Sequence, residues 1–191
     1  EIYNSEDFDI ERKDDASPLT AADIASHRSL VDALHRMTPD IPILSEESAA
    51  DELASRGDWE RLWVVDPLDG TREFIKRNGE FTINVALVEG ARPVLGVIAV
   101  PVTGLAYSGI VGVGAHRWRN WRDAEPIETR RPCPDRPTVL GSRSHANART
   151  QAYFSMLGEH EQISRGSALK FCAVAAGEAD FYPRLGPTSE W

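Results

Sequence analysis

The chain has 191 residues, of which 41% are hydrophobic and 27% are charged, and its formal net charge is −9. These values are typical of a globular protein with one large or two small domains, and they exclude a collagen-like or low-complexity chain. Its longest apolar stretch, 93–107, is interrupted by glycine and proline, which excludes a membrane-spanning helix there. Two cysteines are too few for a disulfide scaffold or a cysteine-rich zinc module.

The charge is unevenly distributed along the chain. Residues 1–80 carry 9 basic and 20 acidic side chains, whereas residues 81–191 carry 12 basic and 10 acidic ones. An acidic half favours divalent cations and disfavours nucleic acid, whose phosphates it would repel. The alternative is that most of these charges form an ordinary solvated surface. The low cysteine content indicates a reducing compartment, so we expect a cytoplasmic protein.

Hydrophobic periodicity in the first part of the chain predicts helices alternating with strands. Ser17 and Pro18 are expected to begin a helix that ends near Met37. Residues 48–60 are expected to form a polar, mobile loop. The other elements predicted here are a strand over 41–44, a strand over 62–65, a turn over 66–70, a short helix over 71–76, and strands over 82–88, 94–100 and 105–111.

Four prolines in 123–137 indicate a boundary in the second part of the chain. We therefore predict an N-terminal metal-binding α+β lobe over 1–130 and the start of a C-terminal α/β substrate lobe over 131–191. A lobe of this length is small for an independent core, and the chain looks cut short. The elements predicted after the boundary are strand 138–140, helix 146–157, strand 162–164, helix 167–176 and strand 181–182.

The most informative segment is 62–71, Leu-Trp-Val-Val-Asp-Pro-Leu-Asp-Gly-Thr. A buried strand delivers Asp66 at its carboxyl end, where α/β sheets commonly bind ligands. Pro67 suits the second position of a type I turn, which would hold the Cα atoms of Asp66 and Asp69 within about 7 Å. Two carboxylates that close raise each other's pKa unless a cation joins them. Oxygen ligands select Mg²⁺, Ca²⁺ or Mn²⁺ over zinc.

The residues after Asp69 suggest an anion site beside the cation site. Gly70 allows a close backbone approach, and Thr71 begins a helix whose free N–H groups favour phosphate. Upstream, Glu46 and Glu47 add carboxylates at the end of another short strand. The alternative is a capped turn with ordinary exposed acids, since Asp is a frequent turn and cap residue.

Together these motifs resemble the inositol monophosphatase superfamily, and within it the 3′(2′),5′-bisphosphate nucleotidase branch. The carriers of the resemblance are the Asp-Pro-Leu-Asp-Gly-Thr motif after an apolar strand and the upstream Glu pair. The resemblance implies a mixed α/β (α+β) fold, a layered αβαβα sandwich with an incomplete C-terminal lobe. It also implies a Mg²⁺-dependent, lithium-sensitive phosphatase. Supporting strings lie at 17–23, 43–47, 72–82, 142–145, 166–171 and 182–188.

The resemblance also implies a role for each residue of the acidic motifs. Glu46, Asp66 and the main-chain carbonyl of Leu68 would bind a first Mg²⁺. Asp66 and Asp69 would share a second. Thr71 would pair with Asp23 to orient the attacking water, so the catalytic residues would be Asp23, Glu46 and Thr71. A threonine hydroxyl needs such a neighbouring carboxylate because it is a poor base at neutral pH.

The substrate implied by the resemblance is adenosine 3′,5′-bisphosphate, hydrolysed to AMP and phosphate. The N–H groups of Gly70 and Thr71 would hold the scissile phosphate. Arg184 stands where the inositol-cleaving branch has a glutamate, and an arginine would bind a second phosphate bidentately. The alternative for Lys170 is an ordinary exposed helix residue. The remaining predicted substrate contacts are Ser144, His145, Gly166, Ser167 and Lys170.

Three alternative functions stay open at this point. The same chemistry could act on inositol or sugar phosphates. A haloacid-dehalogenase-type phosphotransferase also places Asp after a strand, but it uses Asp-x-Asp and this chain has Asp-x-x-Asp. A non-catalytic relative could bind nucleotide or Mg²⁺ without turnover.

The family has an Asp directly after the position of Trp191, so we expect a chain truncated at both ends and a weakened second metal site.

The expected partner is a small-molecule substrate, with no nucleic acid and no integral membrane segment. A homodimer, and peripheral attachment to the inner face of a membrane, are left open by the sequence.

Overall fold

The computed structural model describes residues 2–4, 11–12, 18–48, 56–142 and 148–186. These residues form a mixed α/β arrangement of eleven strands and four α-helices, with 3₁₀ helices at Ile2–Asn4 and Arg56–Asp58. In chain order the elements are β1 Glu11–Arg12, β2 Pro18–Leu19, α1 Ala21–Met37, β3 Ile43–Ser45, β4 Arg61–Asp69, α2 Thr71–Ile75, β5 Thr82–Glu89, β6 Arg92–Val100, β7 Leu105–Ile110, β8 Gly114–Arg119, β9 Asp123–Ile127, β10 Thr138–Ser142, α3 Ala148–Met156, β11 Glu161–Arg165 and α4 Leu169–Ala175.

A seven-stranded sheet, in the order β3-β4-β5-β6-β7-β8-β9, is the largest unit. Strands β3 and β4 run parallel, and every later pair is antiparallel. Parallel neighbours bring their carboxyl ends to the same edge of a sheet. Glu46, which follows β3, therefore lies beside the part of β4 that follows Val65.

Helix α1 packs on one face of this sheet through Leu34, which contacts a core that contains Trp63 and Val65. The indole N–H of Trp63 donates to the hydroxyl of Thr38 at 2.9 Å, which ties the end of the helix to β4. The helix was predicted to begin at Ser17–Pro18, and this start is wrong. Residues 18–19 pair with β1, and the extended backbone of Thr20 caps a helix that begins three residues later than Pro18.

Strands β8 and β9 were not predicted, although they complete the large sheet. Their sequences are Gly-Ala-His-Arg-Trp-Arg and Asp-Ala-Glu-Pro-Ile. They contain too many charged residues and too few apolar ones to match the alternating, β-branched and aromatic pattern that predicts a strand. Pro126 is tolerated because β9 is an edge strand. The proline-rich segment 123–137 therefore begins inside the sheet. The division of the chain into two lobes at residue 130 stays a prediction.

The C-terminal part of the chain forms a second, parallel pair of strands, β10 and β11. Its core contains Leu140, Ala173 and Ala179, all nearly inaccessible to solvent. The strand predicted over 181–182 reduces to a single bridge between Val139 and Phe181. Among the helices of the described ranges, none combines the length and apolar character that crossing a bilayer requires.

Other predicted elements agree in kind and differ at their ends. The helix predicted over 146–157 is α3, and residues 143–147 lie outside the described residues. The helix predicted over 167–176 is α4. Within the loop predicted over 48–60, residues 49–55 lie outside the described residues and 56–58 form a 3₁₀ helix.

Candidate active site

The parallel pair β3–β4 brings two carboxylates from distant parts of the chain together. Ser45 pairs with Val65, and the N–H of Glu46 donates to the carbonyl of Val65 at 3.1 Å. Glu46 and Asp66 are the next residues on the two strands. Their carboxyl groups are hydrogen-bonded to each other, and the charge of Asp69 also acts on Asp66. The structure thus places Glu46 beside Asp66, within the influence of Asp69, and the role of the three carboxylates as metal ligands stays a prediction.

The turn predicted over Asp66–Gly70 is wrong, because β4 continues to Asp69 and carries a bulge. Asp66 pairs with Asn84 and Asp69 pairs with Thr82, so β4 has one extra residue between these pairs. Side chains three positions apart on a regular strand point to opposite faces. The extra residue compensates for this alternation and allows both aspartates to serve one site. The bulge also accommodates a proline, which has no N–H to donate.

The electrostatics of this site centre on Asp66. The pKa of Asp66 is raised from 3.8 to about 8, chiefly by burial and also by the neighbouring charges of Asp69 and Glu46. The N–H of Leu68, which donates to Asp66 Oδ1 at 3.2 Å, opposes this effect by stabilising the charged form. The site therefore holds an excess of negative charge that either a proton or a cation compensates.

The donor atoms of this site are all oxygens, which is the set that Mg²⁺ prefers. As the side chains stand, no group of three or more His, Cys, Asp or Glu residues within 18–48, 56–142 and 148–186 is arranged to hold a metal ion. Glu46 and Asp66 are joined by a hydrogen bond, and Asp69 accepts one from Ser167. The residues fit Mg²⁺ by donor chemistry, and these two contacts compete with it.

Asp23 and Thr71 meet beside the acidic cluster. Asp23 lies in the first turn of α1 and is 2% exposed, and its Oδ1 atom lies 3.4 Å from the hydroxyl of Thr71. Its Oδ2 atom accepts hydrogen bonds from the N–H and the hydroxyl of Thr20 at 2.9 and 2.5 Å. One carboxylate oxygen is thus fixed by the helix cap, and the other faces Thr71. The sequence Thr-x-x-Asp is a capping pattern, and it is the local signal that predicts Thr20 as the helix cap.

Gly70 and Thr71 form the entry into the short helix α2. Gly70 has φ +94°, a conformation that a side chain disfavours. A Cβ atom on Gly70 would lie 3.2 Å from the Cβ of Ser167. The bulged strand, this glycine and the C-terminal part of the chain are therefore closely packed at one point.

The predicted substrate residues near α4 lie against the acidic cluster. The hydroxyl of Ser167 lies 2.6 Å from Asp69 Oδ2 and 2.6 Å from the hydroxyl of Thr82. The N–H of Gly166 donates to Glu80 Oε2 at 2.7 Å. A Cβ on Gly166 would lie 2.9 Å from the carbonyl oxygen of Glu80, so only glycine fits there.

Lys170 is buried, in contrast to the alternative of an exposed helix residue. It is 6% exposed, and its ammonium group donates to the carbonyl of Ser167 at 2.5 Å and lies 5.4 Å from the ring centre of Tyr182. Burial lowers the pKa of Lys170, and the nearby charge of Arg184 lowers it too, whereas Asp69 opposes both by favouring the charged form. Ser144 and His145 lie outside the described residues.

Sequence reasoning missed several residues that hold the site together. Ser26 bonds to the bulge of β4, and His27 bonds to Ser45 at the end of β3. Glu80 and Thr82 bond to Gly166 and Ser167, the residues that precede α4. No local pattern distinguished them, because each contact joins segments that are distant in the chain.

An acidic, all-oxygen cluster beside a Thr–carboxylate pair and a buried lysine is the arrangement of a metal-dependent phosphoric ester hydrolase. The family model of the inositol monophosphatase family matches residues 1–191, and the chain belongs to this family. The mixed α/β class and the layered α+β architecture that we expected are confirmed by this match and by the structural similarity below.

The chain is similar to proteins with a more specific name. It is 46% identical over 198 residues to the 3′(2′),5′-bisphosphate nucleotidase CysQ of Escherichia coli K12, covering all of this chain and 76% of that protein. It is 37% identical to the CysQ of Buchnera aphidicola, again over the whole chain and 71% of the relative. The crystal structure of CysQ from Bacteroides thetaiotaomicron superposes with a TM-score of 0.84 at 42% identity, covering all of this chain and 75% of that one.

Proposed function

We propose that this protein is a Mg²⁺-dependent 3′(2′),5′-bisphosphate nucleotidase that hydrolyses adenosine 3′,5′-bisphosphate to AMP and inorganic phosphate. It is a phosphoric monoester hydrolase of the inositol monophosphatase family. The observation that carries the proposal is the juxtaposition of Glu46, directly after β3, and Asp66, at the start of the bulge in the parallel strand β4. The identity to the named nucleotidases supports the choice of substrate.

Enzymes of this family depend on Mg²⁺ in general. In this chain Glu46, Asp66 and the carbonyl of Leu68 would hold a first ion, and Asp66 with Asp69 would hold a second. The raised pKa of Asp66 supports this assignment, because a cation would replace the proton that the crowded carboxylates otherwise share. When bound, Mg²⁺ neutralises charge on the phosphoryl and leaving oxygens and lowers the pKa of a coordinated water.

The work of the protein's own residues is to hold the reacting groups in place. The hydroxyl of Thr71 donates a hydrogen bond to Asp23 Oδ1. The lone pairs of the hydroxyl oxygen therefore stay free to accept a hydrogen bond from the attacking water. Thr20 fixes Asp23 through its other oxygen, so the carboxylate cannot rotate away. This orients the water without a covalent enzyme intermediate.

The substrate would lie between the acidic cluster and α4. The N–H groups of Gly70 and Thr71 would hold the scissile phosphate. The positive charge of Lys170 and that of Arg184, which acts on it, support binding of a second phosphate on the same ligand. The remaining proposed contacts are Ser144, His145, Gly166 and Ser167.

The proposed partner is a small-molecule substrate, and we propose a cytoplasmic location. Both cysteines, Cys133 and Cys172, are free thiols, which is consistent with a reducing compartment. A homodimer remains a proposal that oligomeric-state measurements would test.

The experiment that tests the proposal measures Mg²⁺-dependent phosphate release from adenosine 3′,5′-bisphosphate and from inositol 1-phosphate side by side, with and without Li⁺. Faster release from the bisphosphate, blocked by Li⁺, is the expected result. Faster release from inositol 1-phosphate would keep the metal chemistry and overturn the substrate. Phosphate release that persists at full rate in excess chelator would overturn the metal assignment.

A further inference from the structure

One face of α1 contacts all three segments that carry the proposed catalytic groups. Asp23, Ser26 and His27 occupy positions i, i+3 and i+4, which lie on the same side of a helix. Asp23 faces Thr71, as described above. The two other residues contact no proposed ligand side chain directly, yet each contacts the backbone segment that carries one.

Ser26 contacts the bulge of β4. Its hydroxyl donates to the carbonyl oxygen of Pro67 at 2.7 Å. Pro67 is fully buried and stands between Asp66 and Leu68, the two proposed ligands of the first ion. A hydrogen bond to this carbonyl fixes the orientation of the peptide that connects them. The regular ladder is interrupted between Asp66 and Asp69, so the contact with α1 is one of the few hydrogen bonds that hold the bulge in place.

His27 contacts the end of β3. Its Nδ1 atom lies 2.8 Å from the hydroxyl oxygen of Ser45. Ser45 is fully buried and immediately precedes Glu46, the remaining proposed ligand of the first ion. No buried side-chain polar atom in the described part of the chain lacks a hydrogen-bond partner. For the buried hydroxyl of Ser45, His27 is such a partner.

We infer that Ser26 and His27 are positioning residues that hold the end of β3 and the bulge of β4 at the separation needed for Glu46 and Asp66 to bind one ion. The inference rests on the proposed function. Adjacent residues of one helix hold the two segments, so a shift of either segment relative to the other must break one of the two hydrogen bonds. Helix α1 is itself fixed, by its cap at Thr20 and by the Thr38–Trp63 hydrogen bond.

The test uses His27→Ala and Ser26→Ala in the full protein, with His35→Ala and Ser29→Ala as controls. The control residues are exposed residues of the same type on the same helix. Mn²⁺ binding is measured by calorimetry, and the Mg²⁺ dependence of phosphate release is measured in parallel. We expect each test variant to weaken ion binding about tenfold or more, the usual effect of removing a group that orients a ligand. KM for the substrate at saturating Mg²⁺ should stay within about twofold, and the controls should match the wild type.

His27→Asn keeps a polar atom close to the position of Nδ1 and should restore most of the ion affinity. It also provides a test if His27→Ala fails to fold, as judged by thermal unfolding. Unchanged Mn²⁺ binding in the folded test variants would overturn the inference. An increase in KM with unchanged ion binding would also overturn it, since that result assigns these residues to the substrate. A wild type that binds Mn²⁺ but releases no phosphate would contradict the proposed function, and calorimetry on the variants would still decide the positioning role.

Discussion

The hydroxyl of Ser167 lies within hydrogen-bond distance of both the carboxylate and the carbonyl oxygen of Asp69, at 2.6 and 2.9 Å, although 98 positions separate the two residues. Asp69 ends β4 of the large sheet, and Ser167 precedes α4 in the C-terminal part of the chain. This contact therefore connects the proposed metal site directly with the part of the chain expected to bind the substrate. It couples the geometry of the acidic cluster to the packing of α4.

Replacing Ser167 tests this connection. Ser167→Ala removes a hydrogen bond to a charged group, a contact that contributes about 1.5–3 kcal/mol, so we expect kcat/KM to fall about tenfold to a hundredfold. Ser167 has φ +52°, which disfavours a side chain, so Ser167→Gly should lose the same activity but unfold at a higher temperature than Ser167→Ala. Equal activity of Ser167→Ala and the wild type, in phosphate-release assays over a range of Mg²⁺ concentrations, would show that the hydroxyl does not support Asp69.

Gly166 is expected to tolerate no side chain. A Cβ atom there would lie 2.8 Å from the Cγ of Glu73 and 2.9 Å from the carbonyl oxygen of Glu80, so the C-terminal part would be pushed away from the sheet. Gly166→Ala should destabilise the protein by about 1–3 kcal/mol, measured by urea unfolding, and lower activity as well. Gly96→Ala is the matched control, because a Cβ there meets no atom within 4 Å, and it should change stability by less than about 0.5 kcal/mol. Similar unfolding of both variants would contradict the close packing at Gly166.

The ion pair between Arg130 and Asp180 makes stability depend on pH. Hydrogen bonds from Arg130, helped by the N–H of Thr138, lower the pKa of Asp180 below its usual 3.8 in the folded protein. The stabilisation is therefore present above the unfolded-state pKa and is lost as the pH falls through the lower folded-state pKa. Urea unfolding should show wild type more stable than Asp180→Asn at about pH 6, with the difference shrinking at about pH 3.

The control for this comparison is Asp135→Asn, an exposed aspartate in the segment between β9 and β10 that also carries Arg130. It should match the wild type at both pH values. A difference between the wild type and Asp180→Asn that stays constant down to pH 3 would contradict the role of the charged carboxylate.

Arg184 is expected to select the bisphosphate substrate. A glutamate at this exposed position would repel the second phosphate, so Arg184→Glu should lower kcat/KM for adenosine 3′,5′-bisphosphate by about tenfold or more. Inositol 1-phosphate, which has one phosphate, should be affected much less. Arg92→Glu makes the same charge change at an exposed position at the start of β6, and it should leave the ratio of the two substrates unchanged. Equal losses on both substrates in the Arg184 variant would remove the specificity argument.

The sequence was most informative where function depends on local order. The strand followed by Asp-Pro-Leu-Asp-Gly-Thr indicated the acidic site, the small helix after it and the all-oxygen ligand chemistry. The helix over α1 and strands β5, β6 and β7 followed from hydrophobic periodicity, because each has a clearly apolar face. These features depend on neighbours in the chain and could therefore be predicted from one sequence.

Other features depended on the pairing of distant segments and could not be predicted in this way. The bulge at Pro67 was taken for a turn, because proline and aspartate favour both and only the register against β5 distinguishes them. Strands β8 and β9 were missed because they have no clearly apolar face. Each is held by hydrogen bonds to the neighbouring strand of the sheet. The burial of Lys170 was equally hidden, since a lysine on a short helix is usually exposed.

The central claim is that the carboxylate of Asp66 binds the Mg²⁺ on which phosphate release depends. The most direct measurement is phosphate release from adenosine 3′,5′-bisphosphate by Asp66→Asn across a range of Mg²⁺ concentrations, with exposed Asp40→Asn as the control. The amide is nearly isosteric and carries no charge among the crowded carboxylates, so the variant should fold at least as stably as the wild type. We predict turnover lower by about a thousandfold that added Mg²⁺ does not restore, and a control that matches the wild type. Turnover within a few fold of the wild type in the folded variant would contradict the account.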